Sequence, residues 1–282
     1  MPEPLVDNIE AVVAFVPDVD VVMDDFVHYG FSEVFRNGGG DEHISAQLSL
    51  GTSDLEFIAP RDPDSNSFFA QILRERPGYG MMSLATPDVD HAVAQMREQG
   101  LGVADPMFRK GARRDFRMTL TGRSVTPGVR CMISQYQTPS PRLKGDTPLN
   151  IKKLDHVIIA TNDLEDALKL WERNVGLKED TELNHPLGAG FKAARLPIGE
   201  SFIELVQPVE ESGRFYEQVQ ERGEGLFSIS VQVEDLDEAV RYLREKGAAV
   251  SDPEPSIWPG ARLARINQSS THGVSIQLIE RS

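Results

Sequence analysis

The residues most able to do chemistry are few and scattered. His156 lies in "LDHVIIATNDLEDA", an apolar run that reads as a strand, then a turn, then the start of a helix. An imidazole there is either a metal ligand or a histidine tucked into a sheet. Glutamate recurs in a pattern of its own: "LEFIAP" and "IELVQP" each place Glu four residues before Pro, which gives Glu56 and Glu204. The triplet "GAR" recurs at Gly111–Arg113 and Gly260–Arg262. A guanidinium after such a turn can hold a carboxylate or enolate oxygen through two parallel N–H groups, or can form an ordinary surface salt bridge. Trp258, Phe191, Phe202 and Phe227 can wall an apolar pocket or fill a core. His185 and His272 fall at turns. His185 is either a solvated turn residue or an acid/base able to swing over a site, and His272 suits the tight turn before the last strand.

The elements that must position these groups repeat four times. Helices are predicted to start at Asp18, Asp88, Asp163 and Asp235, spaced 70, 75 and 72 residues apart. Each start has the form of an apolar β-rich run, then Asp, Val or Leu, another acid, and apolar residues at helical spacing. The Asp is a natural N-cap, accepting from free amides of the first turn, and the following acid complements the helix dipole. Gly30, Gly100, Gly176 and Gly247 lie near the helix ends, where a residue able to take positive φ is useful. Each helix is followed by Gly-bearing turns between short apolar runs, "RNGGGDEH", "RKGARRDF", "HPLGAGFK" and "WPGARLAR". Each unit therefore reads β-α-β-β-β. Short helical segments with an aromatic pair, Phe68–Phe69 and Phe215–Tyr216, follow only the first and third units. That longer period pairs units one and two, and units three and four. The expected division is a domain over 1–140, a linker over 141–150 and a domain over 151–282.

Composition narrows the class. The 282 residues carry 44 acids against 29 bases, a formal charge of −15. Such a balance repels phosphate backbones, so no nucleic acid is expected. No apolar run is long enough for a membrane span. The start "MPEPLVDNIE" shows no signal-peptide pattern, and the single Cys131 excludes an intrachain disulfide and a thiolate cluster and suits a reducing compartment. A cytoplasmic protein is expected. No phosphate-binding or dinucleotide loop and no nucleophile elbow is present.

The segments "LDHVIIATNDLEDALKLWERNVGL", "SFIELVQP", "GEGLFSISVQVEDLDEAV" and "THGVSIQLIE" resemble the vicinal oxygen chelate superfamily. That superfamily includes glyoxalases, bleomycin-resistance proteins and extradiol dioxygenases. The resemblance covers nearly the whole chain. It implies an α+β fold: four βαβββ units forming two glyoxalase-like domains, each a curved mixed-sheet half-barrel with outer helices. It also implies ligand positions on the first and last strands of each unit. Seven residues before each cap Asp stand His156, Ser228, Met81 and Ala11; the closing strands offer Glu204, Gln277, Glu56 and Gln135. By resemblance His156, Glu204 and Gln277 would hold a divalent ion (Zn, Mn, Fe, Co or Ni), with Glu204 as the catalytic carboxylate. Ser228, Arg262, Trp258, Phe191 and Phe227 would touch the substrate. Ser228 stands where epimerase- and dioxygenase-like members usually carry a second histidine; the two-His-one-carboxylate set is therefore incomplete, and ring-cleaving dioxygenase chemistry is disfavoured. In the first cup Ala11 and Met81 supply no hard donor, so that cup reads as degenerate. Two functions follow from the resemblance. One is a metal-dependent isomerase, epimerase or lyase acting on vicinal oxygens of a small molecule. The other is a metal-free small-molecule or antibiotic binding protein. Either is compatible with a homodimer.

Overall fold

The computed structural model describes residues 3–138, 147–181 and 190–282. His185 and most of the linker expected at 141–150 lie outside them.

The first, second and fourth units form as the spacing predicts; the third shows β-α-β-β, and most of its expected turn "HPLGAGFK" lies outside the described residues. The first holds β1 (Asn8–Phe15), α1 (Val19–His28), β2 (Ser32–Gly39), β3 (His43–Ser49) and β4 (Asp54–Pro60), followed by the short α2 (Phe68–Glu75). The second holds β5 (Gly78–Ala85), α3 (Val89–Glu98), β6 (Met107–Arg109), β7 (Phe116–Thr121) and β8 (Arg130–Tyr136). The third holds β9 (Ile151–Ala160), α4 (Leu164–Val175), β10 (Phe191–Ile198) and β11 (Ser201–Pro208), followed by α5 (Arg214–Arg222). The fourth holds β12 (Gly225–Val233), α6 (Leu236–Glu245), β13 (Glu254–Pro255), β14 (Ala261–Ile266) and β15 (Ile276–Arg281). All four predicted caps operate: the Asp18, Asp88, Asp163 and Asp235 carboxylates accept from first-turn amides. Just past these helices Gly30, Gly100, Gly176 and Gly247 take φ of 79° to 91°, where a Cβ would be strained.

Hydrogen bonding joins the strands into an eight-stranded sheet, β2-β3-β4-β1-β5-β8-β7-β6, and a seven-stranded sheet, β10-β11-β9-β12-β15-β14-β13. In every unit the first strand pairs in parallel with the closing strand, and the hairpin strands pair antiparallel. The chain also divides into two compact units. One carries α3 and β6–β8 with α4, β10, β11 and α5; the other carries α1, β2–β4 and α2 with α6 and β13–β15. In the first, α4 packs on β10 and β11, and Val157, Ile159, Ile203, Leu205 and Trp171 are fully buried. In the second, Phe26 of α1 meets Phe57 of β4 with ring centroids 5.1 Å apart, and α6 packs on β14 and β15. Alternation along each strand assigns these apolar side chains to the helix-facing side. The other face is left for the site. Among the described residues no helix is long and apolar enough to cross a membrane.

Cys131 on β8 is buried, and burial pushes its thiol up to about 12, against weaker lowering by Thr126 and Thr121. A thiolate is therefore scarce at neutral pH. The native chain is expected to resist a thiol-reactive dye for hours and to take one equivalent on unfolding. Rapid native labelling would show that β8 opens locally.

Candidate functional site

The β10-β11-β9 ladder fixes which side chains share the face opposite α4. In register, Phe202 pairs with His156 and Glu204 with Ile158 across the parallel pair; Arg195 pairs with Glu204 across the hairpin. His156, Phe202, Glu204, Arg195 and Phe191 thus point the same way. His156 and Glu204 are 1% and 3% exposed, and Arg195 is 7% exposed. His156 Nε2 stands 3.5 Å from Glu204 Oε2. The His156 imidazole stacks on Phe202, centroids 4.6 Å apart at 18°. From the β10 side the Arg195 guanidinium carbon lies 4.3 Å from the same ring's centroid. Ionisable groups this deep persist only when they answer one another or a ligand.

Two of the three expected metal ligands are thus brought together. Two donors held by a tetrahedral ion at about 2.1 Å each stand roughly 3.4 Å apart, so the His156–Glu204 spacing fits one ion. Among the described residues no three His, Cys, Asp or Glu side chains converge as a metal cluster. An ion here would complete its shell with amide, water or substrate oxygens.

The other expected residues lie mainly on the β12-β15-β14 ladder of the other compact unit, which repeats the same register. Ser230 pairs with Gln277, and the Gln277 amide nitrogen donates to Ser230 Oγ. The Ser228 hydroxyl donates to the Ser275 carbonyl at 3.0 Å, and Tyr79 donates to the same carbonyl at 3.0 Å. Ser228 therefore stitches its strand to the last turn. Phe227 precedes Ser228 on β12, so the two face opposite sides of the sheet. Trp258 packs on Ala261, Leu263 and Ile279, on the Gln277 face. Arg262 does not join it. Arg262 pairs with Glu280 in register while Arg265 pairs with Gln277, and residues three apart on a strand face opposite ways. Arg262 Nη2 donates to both Asp237 oxygens at 2.8 Å, and Nη1 approaches Glu280 at 3.5 Å. The expected substrate contact is a bracket between β14 and α6.

Register also corrects the first cup. In each unit the closing-strand residue on the ligand face pairs with the residue two after the ligand position of the first strand. Glu56 pairs with Val13, Glu204 with Ile158 and Gln277 with Ser230. In the second unit that residue is Met132, paired with Ser83. Gln135, expected there, turns to the helix side. Its amide nitrogen donates to the Pro87 carbonyl at 2.8 Å, and its amide oxygen accepts from Val89 N at 3.4 Å. Gln207 and Glu280 brace α4 and α6 alike, accepting from Leu164 N and Leu236 N. His272 takes φ 52° in its turn, as expected, and its Nε2 lies 2.8 Å from Asp25 Oδ2.

Arg195 is the residue the sequence reading missed. Its signal was present: an arginine in "FKAARLPIG", a partly apolar run immediately before "SFIELVQP".

Residues 155–262 match the model of the Glyoxalase/Bleomycin resistance protein/Dioxygenase superfamily. Over those residues the chain is similar to a domain of that superfamily. Over 135 residues it is 25% identical to the mitochondrial methylmalonyl-CoA epimerase of Dictyostelium discoideum, covering 47% of this chain and 81% of that protein. Over 134 residues it is 25% identical to the uncharacterized protein YqjC of Bacillus subtilis, covering 46% of this chain and 93% of that one. A triple mutant of 4-hydroxymandelate synthase from Streptomyces coelicolor superposes with TM-score 0.76 at 15% identity, covering 99% of this chain and 94% of that chain. The last likeness extends the tandem glyoxalase-like fold over both sheets.

Proposed function

We propose that this chain is an enzyme of the vicinal oxygen chelate type, catalysing an isomerase-, epimerase- or lyase-type reaction on a small oxygen-rich molecule. The observation that carries the reading is the buried His156–Glu204 pair, 3.5 Å apart on one sheet face. The similarity to an epimerase over 135 residues supports it. His156 and Glu204 would hold a divalent ion, with water or substrate oxygens completing its shell. When bound, such an ion stabilises negative charge developing on a substrate oxygen. This chain's own residues supply the rest. Phe202 fixes the imidazole plane and keeps water from it, and Glu204 is the carboxylate placed to take or return a proton beside the bound oxygen. Ser228 stands in place of the second histidine of epimerase- and dioxygenase-like members and donates to a backbone carbonyl, so the two-histidine, one-carboxylate set of ring-cleaving oxygenases is incomplete. In this reading the ligand is a small molecule in a cytoplasmic protein, and neither nucleic acid nor a membrane takes part.

A second reading, metal-free binding of a small molecule, is favoured by one observation: Arg195 lies directly across the ladder from Glu204 and can neutralise it. The two are separated by metal content and divalent-ion thermal shift of the purified full chain. The first reading expects about one divalent ion per chain and a raised Tm on adding it, with both lost in His156→Ala. A metal-free protein whose Tm ignores Mn²⁺, Co²⁺, Ni²⁺ and Zn²⁺ would establish the second.

A further inference from the structure

We propose that Arg195 is the anion-holding, specificity-determining residue of this site, and that the ligand presents a carboxylate or enolate-type oxygen to it. The proposal rests on the reading that the His156–Glu204 face is the ligand face, but not on a metal being there. The sequence offered Arg262 for this task. The structure turns Arg262 to the helix side, with its side chain 43% exposed and pinned by Asp237, and puts Arg195 on the ligand face instead.

Three features carry the assignment. The first is position: β10 aligns Arg195 with Glu204, and β9 aligns His156 with Phe202, so all four side chains stand on one small area of sheet. The second is burial. A guanidinium keeps its charge at any working pH, and holding it at 7% exposure is costly unless anions answer it. The third is the Phe202 platform. Imidazole stacks on the ring from the β9 side and guanidinium from the β10 side, which holds the planar fork in one orientation. A guanidinium offers five N–H donors and a carboxylate takes two at once. One arginine can therefore serve Glu204 and a ligand oxygen together. In a site so sheltered from water, the pairing is stronger than at the surface.

The ligand class that fits is a small organic acid, or a molecule that becomes an enolate. The rival role for Arg195 is to be no more than the counter-charge of Glu204. Malonate, with neutral malonamide as control, separates the two roles when added to the EDTA-dialysed full chain at fixed ionic strength. Calorimetric titration and thermal shift are read side by side. Malonate is expected to bind and raise Tm where malonamide does not. Arg195→Gln should weaken malonate at least tenfold, and Arg195→Lys should keep part of the affinity. The response of Arg195→Gln to divalent ions should be retained. If Arg195→Gln fails to fold, Arg195→Gln/Glu204→Gln removes both charges. Recovery of stability without recovery of malonate binding upholds the proposal, and recovery of wild-type malonate affinity overturns it. Absence of malonate binding to the wild type also overturns it. Loss of the divalent-ion response in the wild type, with malonate binding intact, would sink the metal reading alone.

Discussion

Arg281→Met is expected to lower unfolding free energy by about 3–5 kcal/mol, the usual cost of removing one partner from a buried ion pair. Asp155 is 2% exposed. Arg281 donates to both its oxygens, Nε to Oδ1 at 2.6 Å and Nη2 to Oδ2 at 2.7 Å. The pair ties the last strand to the residue immediately before His156. Asp155→Ala should cost less, because the Arg281 side chain is 25% exposed and water can re-solvate it. Arg281→Met/Asp155→Leu should recover most of the loss, since replacing both charges by apolar groups is often near neutral. Urea denaturation midpoints at constant m decide the matter. Equal losses for the two single variants, with no recovery in the double, would mean that the pair is not the source of the stability.

The second large effect concerns Glu56. Burial is the main cause pushing its carboxyl from 4.5 up to about 7, and neighbouring Asp54 adds to it; hydrogen bonds from Gln47 and Ser45 pull the other way. A carboxyl raised in the folded state is more protonated there than in the unfolded chain between these values. Folding stability from this group is therefore full below about pH 4.5, falls as pH rises towards 7, and stays low above it. The interval corresponds to about 3 kcal/mol at most, and the partial exposure of Glu56 trims that to roughly 2 kcal/mol. Glu56→Gln is neutral at every pH and keeps a comparable shape. It should match the wild type near pH 4.5 and exceed it by roughly 2 kcal/mol at pH 8, the difference growing between those points. A wild-type-minus-variant difference flat across pH 4.5–8 would contradict the placement. Working with the difference cancels the titration of the other acids.

Much of the fold was legible because it rests on local rules repeated four times. An Asp after a β-rich run caps a helix wherever it stands, and a glycine past the helix end takes the left-handed turn. These signals need only neighbours in sequence. The resemblance placed His156 and Glu204 on the first and closing strands of one unit, and the parallel pairing of those strands puts both on one face. The superfamily match over residues 155–262 agrees with what those residues resembled.

Other outcomes depended on register, which the sequence leaves open by one or three residues. A strand's faces alternate with period two, so an offset of three sends a side chain to the other side of the sheet. That is why Gln135 braces α3 while Met132 faces the first cup, and why Arg262 brackets α6 while Arg265 shares the Gln277 face. Arg195 escaped notice for the same reason. Its importance lies in standing across from Glu204 and over Phe202, and both relations exist only once β10 has paired with β11. The amino-acid sequence by itself determined four capped units and the positions of a histidine and a glutamate able to act together. Only tertiary pairing decided which arginine stands beside them, because hydrogen-bond register between strands, not the order of residues along one strand, sets who faces whom.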